Sequence, residues 1–112
     1  MTLDEYFATG PERERPIFEA VIAHLATLGP VHVEPVSVGI FIKKAGSFLE
    51  LRPMTRWVRM SVPLLRRVVD RRIRTRPAEY RGRLYHFVDL VDANDVDDDV
   101  RGWLTESWDL VP

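Results

Sequence analysis

The sequence predicts one α+β domain over residues 1–112, an antiparallel sheet of about five strands covered by helices from the N-terminal and C-terminal ends. Three observations carry that prediction. Apolar residues recur at helical spacing near both ends of the chain, the stretch between them alternates with period two, and the turns joining the alternating runs are short. Connections that short make neighbouring strands antiparallel, because a parallel pair needs a crossover of a dozen or more residues.

Thr2 and Glu5 have the spacing of a capping box, so Leu3–Ala8 is expected to be a short helix. In the next segment Phe18, Val21, Ile22, Leu25 and Leu28 follow helical spacing and Gly29-Pro30 supplies a stop, which predicts a helix over Arg13–Leu28. Pro16 fits in its first turn, where an N–H has no intrahelical partner. The period then changes to two. Val31–Val36, Gly39–Lys44, Ser47–Arg52 and Arg56–Val62 are rich in β-branched and aromatic residues and read as a strand meander. Ala45-Gly46 is expected to close a two-residue hairpin with Gly46 at positive φ. Within Pro63–Arg76, the residues Leu64, Leu65, Val68 and Val69 fit a helical stripe, predicting a short helix. Pro77–Gly82 reads as a loop and Arg83–Val91 as a fifth strand. Asn94 or Asp95 would cap a last helix with the stripe Val96, Val100, Trp103, Leu104 and Ser107. Phe18, Val21, Leu25, Leu49, Leu51, Val58, Met60, Val62, Val100, Trp103 and Leu104 are the expected core.

Composition narrows the functional classes. A 46% hydrophobic and 29% charged chain is neither disordered nor fibrous. Without cysteine it has no disulfides, thiolate zinc sites or cysteine nucleophiles. There is no apolar run of membrane-spanning length and no signal-peptide layout, so a cytoplasmic location is expected, with no membrane partner. The net charge of −1 conceals three unlike parts. Residues 1–51 carry 4 basic and 7 acidic groups, 52–83 carry 11 and 2, and 84–112 carry 1 and 8, giving −3, +9 and −7.

The succession LDEYF (Leu3–Phe7), PIFEAVIAHLATLGPV (Pro16–Val31), a meander, LYHFVDL (Leu84–Leu90) and DVDDDVRGWLTESW (Asp95–Trp108) resembles a family of small bacterial domains of unknown function, DUF 5655. The resemblance covers nearly the whole chain. It is most specific in the helix leading into Leu28-Gly29-Pro30-Val31 and in the Tyr85-His86-Phe87 strand. Some longer members of that family carry a Cys/His-rich segment, but no zinc role transfers to a chain without cysteine. What the resemblance implies is a fold, with no activity attached.

Catalytic motifs are missing. His24, His32 and His86 have no metal-ligand spacing and read as structural, with His86, between aromatics, the one of interest. An EF-hand alignment from Asp92 fails at Val96, Asp97 and Trp103, so the run Asp97-Asp98-Asp99 reads as a helix first turn, where the dipole favours anions. The six glycines form no phosphate loop and no serine sits in a nucleophile elbow. No metal and no cofactor are expected.

The remaining signal is the basic block. Alternation puts Phe48, Arg52, Trp57 and Arg59 on strand faces away from the core, joined by Arg66, Arg67, Arg71, Arg72, Arg74 and Arg76. Arginine forks grip phosphate or carboxylate and exposed aromatic rings stack on bases. The leading expectation is a non-catalytic interaction module, with a protein partner or self-association through segregated charge. The alternatives are nucleic-acid or anion binding by the Arg/aromatic face, against which the pI near 6.3 weighs, and a small-ligand pocket or enzyme around Trp57, Tyr85 and His86. If the basic and acidic blocks pair within one molecule, the ligand-binding readings lose most of their motivation.

Overall fold

The computed structural model describes residues 1–112. Its elements are α1 (Leu3–Phe7), α2 (Glu14–Ala26), β1 (His32–Val36), β2 (Gly39–Lys43), β3 (Ser47–Pro53), β4 (Val58–Leu64), β5 (Ala78–Tyr80), β6 (Arg83–Leu90), a 3-10 turn at Ala93–Asp95, and α3 (Asp98–Leu110). The six strands form one antiparallel sheet in the order β1-β2-β3-β4-β6-β5. This is the expected α+β architecture with one strand more than the sequence suggested.

Strand alternation divides the sheet into two faces. Ile40, Leu51, Met60 and Val88 stand side by side across β2, β3, β4 and β6, and all are buried. Ile42, Leu49, Val58, Val62, Leu64 and Leu90 share that face. Helix α2 packs Ile17, Phe18, Val21 and Leu25 onto the core, and α3 adds Val100, Trp103 and Leu104. Every residue of the expected core is buried. The opposite face of the sheet carries no helix.

The ends of the helices are fixed by local chemistry. Thr2 and Glu5 form the capping box of α1, each side chain bonded to the other's backbone N–H. Tyr6 then donates its hydroxyl to Glu14 Oε2 at 3.0 Å, tying α1 to the first turn of α2. Glu14 is 1% exposed, and burial pushes its carboxyl up from the ordinary glutamate range. Asp97, rather than Asn94 or Asp95, caps α3, accepting from the Val100 N–H at 3.0 Å. Asp98 and Asp99 fill its first turn as expected. At the other end Lys44 Nζ donates to the carbonyls of Trp108 (2.9 Å) and Val111 (3.1 Å), a cation on the negative end of the helix dipole.

Three other local expectations are corrected. Residues 63–76 form no helix, because Pro63 and Leu64 continue β4 opposite Tyr85 and Leu84 and the chain beyond is irregular. The β2–β3 connection is Lys44-Ala45-Gly46 with a register shift at Ile42/Lys43, and Gly46 does not take positive φ. Positive φ occurs instead at Arg81 (51°) and Gly82 (76°), the two central residues of a hairpin turn that makes residues 78–80 a strand rather than loop.

Candidate functional site

Residues 65–77 run from the end of β4 to the start of β5 and decide where most of the arginines go. Two buried polar side chains hold this segment down. His86, on the core face of β6, is fully buried. Its Nε2 accepts the Val68 backbone N–H at 3.1 Å and its Nδ1 lies 3.0 Å from the Leu84 carbonyl. An acceptor at Nε2 places the proton on Nδ1, so the ring is neutral and both nitrogens are satisfied. Burial is the main reason its pKa lies below the usual histidine value, reinforced by Arg67 and Arg66.

Arg72 is the second anchor, at 5% exposure. Its Nε and Nη2 donate to the two oxygens of Asp70 at 2.9 and 3.1 Å, and Nη1 reaches the Asp95 carbonyl (2.8 Å) and Asp97 Oδ2 (3.0 Å). Hydrogen bonding by Arg72 holds the Asp70 carboxyl below the ordinary range. The Arg72 carbonyl also accepts the Asp89 N–H at 2.8 Å, so the segment lies along β6 beyond the reach of β5.

The basic and acidic blocks therefore pair in part within one molecule. Besides Arg72 with Asp70 and Asp97, Arg66 grips Glu106 (3.0 Å). Asp89, 3% exposed, takes a two-pronged bond from Arg59 (2.8 and 3.2 Å) and a contact from Arg74 Nε at 3.3 Å. Arg74 lies 3.9 Å over the Trp57 ring. Arg52 is half-exposed with Glu50 at 3.3 Å, and Arg67, Arg71 and Arg76 make no ion pair.

What remains is sorted by the sheet. Asp98, Asp99, Glu106 and Asp109 belong to α3, behind the core face. Arg52, Arg59, Arg74 and Arg76 surround the open face. The carboxylates of α3 and these four arginines thus lie on opposite sides of the sheet, while Arg66 and Arg72 join the two portions at the edge and Arg59 and Arg74 join them through Asp89 on the open face.

The open face is hollow rather than flat. One cavity of about 490 Å³ is bordered by Arg52, Arg59 and Arg76, with Met54 and Thr75. A second, of about 380 Å³, is lined by Phe41, Tyr80, Tyr85 and Ala78. Both share Glu50, Ser61 and Phe87, so they form one groove, basic at one end and aromatic at the other. Register explains the floor, because Phe41, Glu50, Ser61 and Phe87 are consecutive cross-strand partners on β2, β3, β4 and β6. The next row on this face is Arg52, Arg59 and Asp89.

Other sequence-designated residues are placed differently from the expectation. Phe48 borders the aromatic end of the groove but is buried, packed edge-on against Trp108 with ring centroids 6.0 Å apart. Trp57, Tyr85 and His86 do not converge, since Tyr85 and His86 are strand neighbours facing opposite sides. Trp57 sits under Arg74, its indole N–H buried without a hydrogen-bond partner. Sequence reasoning missed Phe41, Ser61 and Phe87, although each occupies the non-core position of its strand's alternation. His24 pairs with Thr105 Oγ1 at 2.8 Å between α2 and α3, and no three His, Asp or Glu side chains are grouped to hold a metal ion. No helix is long and apolar enough to cross a membrane.

Fold and groove together define a small α+β domain with one helix-covered sheet face and one open face floored by aromatics and bordered by arginines. The chain belongs to the family described as a domain of unknown function, DUF5655, whose model matches residues 3–111. No curated protein and no solved structure matches it.

Proposed function

We propose that this protein is a non-catalytic binding module whose ligand lies in the groove on the open sheet face. The observation that carries the reading is the continuity of the two cavities through Glu50, Ser61 and Phe87, which puts arginine forks and aromatic rings within reach of one bound molecule. The ligand is anionic, because Arg52 and Arg76 offer donors that internal carboxylates leave largely free. Its body is flat or apolar, because the far end offers ring faces. Among the sequence-designated residues, Arg52, Arg59 and Arg76 border the groove, Arg74 shapes its edge through Asp89 and Trp57, and Arg66, Arg72 and His86 hold the segment beside it. Arg67 and Arg71 stand outside it.

Self-association through opposite charge is the weaker reading. It would seat the arginine face of one copy on α3 of the next, a head-to-tail contact that closes only as a ring. Ser61 allows a direct test, since it lines both halves of the groove. Ser61→Trp should fill the groove while leaving the core face untouched. Binding of a fluorescent oligonucleotide or of a fluorescent acidic, aromatic-containing peptide should be lost in this variant. Unchanged binding of both by Ser61→Trp would place the ligand elsewhere and overturn the reading.

A further inference from the structure

We infer that the groove takes single-stranded nucleic acid, an inference that rests on the binding reading above. Phe41 and Phe87 belong to one cross-strand row and are separated by three inter-strand spacings, about 14 Å. Both are half-buried, so each ring is fixed in the sheet and still presents surface to the groove. Two fixed rings at that separation are stacking platforms for two bases of one strand, and stacking tolerates any base because every base has a π-face. Tyr85 and Tyr80, with centroids 6.4 Å apart, extend the aromatic end.

Charge separates the places that would repel phosphates from those that would hold them. Glu50 lies between the two rings in the row, which keeps phosphates off the floor. Arg52 and Arg76 border it, where phosphates would release counterions on binding. A duplex hides its base faces and cannot use the rings; a single strand can. A peptide partner is the less favoured occupant because the groove lies on the face of the sheet, and the edges do not invite strand addition. β1 carries Pro35, and β5 is 3 residues long.

The test is fluorescence anisotropy of labelled deoxythymidine and uridine oligomers of about ten nucleotides, within the span of single-strand sites. Affinity should fall steeply between about 50 and 200 mM salt, and the matching duplex should bind more weakly. Phe41→Ala and Phe87→Ala should each weaken single-strand binding at least about fivefold. Phe41→Leu and Phe87→Leu, which keep the packing and remove the flat face, should weaken it as well. Arg52→Gln and Arg76→Gln should each reduce the salt slope by about one. Oligomers that do not bind, or that bind equally well to the Leu variants, overturn the inference. If they fail while an acidic peptide binds the wild type and not Ser61→Trp, the binding face stands and its nucleic-acid assignment falls. If neither probe binds, both fall.

Discussion

Arg72 is the side chain whose loss should be felt most outside the apolar core. Its guanidinium is 5% exposed and bonds to both oxygens of Asp70, to Asp97 and to the Asp95 carbonyl. It also lies 5.6 Å over the Trp103 ring. Truncation to Ala removes all of these and strands Asp70 and Asp97, whose side chains are 17% and 42% exposed. Breaking a buried ion pair on one side costs about 3–5 kcal/mol. Because both carboxylates keep some contact with water, the lower end applies, about 3 kcal/mol. A domain of this size loses roughly 4 °C of Tm per kcal/mol, so Arg72→Ala should melt about 12 °C lower. Arg72→Lys should recover only part, since an ammonium cannot span Asp70, Asp97 and the Asp95 carbonyl as a fork does. The assay is urea unfolding by circular dichroism for Arg72→Ala, Asp70→Asn and the double variant. The double variant should cost less than the sum of the singles, because the two residues share one contact. A loss under about 1 kcal/mol for Arg72→Ala, or strict additivity, would refute the view that this arginine clamps the 65–77 segment to the cap of α3.

Other consequences are more local. Leu51→Ala or Met60→Ala should cost about 2–5 kcal/mol in the same unfolding assay, and no change for either would mean the core face has been misassigned. His86 is held below its ordinary pKa of 6.5, so the unfolded chain binds the proton more readily. Its contribution is complete above pH 6.5 and is lost as pH falls toward the folded value. Urea midpoints should therefore decline below pH 6.5 more steeply in the wild type than in His86→Gln; parallel curves would contradict the neutral buried ring. Arg81, a non-glycine residue at φ 51°, should tolerate Asn with a gain of up to about 1 kcal/mol, read as a rise in Tm, because Asn-Gly suits a turn with two positive φ angles. A drop in Tm would mean that the Arg81 stack on Tyr80, at 5.2 Å, outweighs the backbone strain.

The parts of this molecule governed by periodicity were legible in the sequence. The stripes of α2 and α3 and the alternation Leu49–Leu51 and Val58–Met60–Val62 lead straight to the buried faces, since one face of each element must leave water. Residues 63–76 misled because Leu64, Leu65, Val68 and Val69 imitate a helical stripe. In the molecule Leu64 completes β4 and Val68 packs on the core, while Leu65 and Val69 are 68% and 92% exposed. Their conformation is set by His86 and Arg72, tertiary partners that local spacing does not reveal. His86 did leave a trace, since it alternates with Leu84, Val88 and Leu90 on the core face of β6. The groove was half legible. Arg52 and Arg59 followed from alternation on β3 and β4, but Phe41 and Phe87 looked like ordinary strand apolars until register placed them in one row. Charge segregation was visible as −3, +9 and −7 along the chain, yet only the fold shows that some of it cancels in ion pairs and that α3 and the open sheet face carry opposite charge.

The central claim is that the open sheet face is the binding surface, and amide chemical-shift mapping tests it most directly. Titrating an unlabelled deoxythymidine oligomer into the ¹⁵N-labelled protein should shift the amides of Phe41, Glu50, Arg52, Ser61, Arg76 and Phe87. The exposed surfaces of α2 and α3 should stay still. Shifts concentrated on α3, or on Arg67 and Arg71 with the groove silent, would contradict the account.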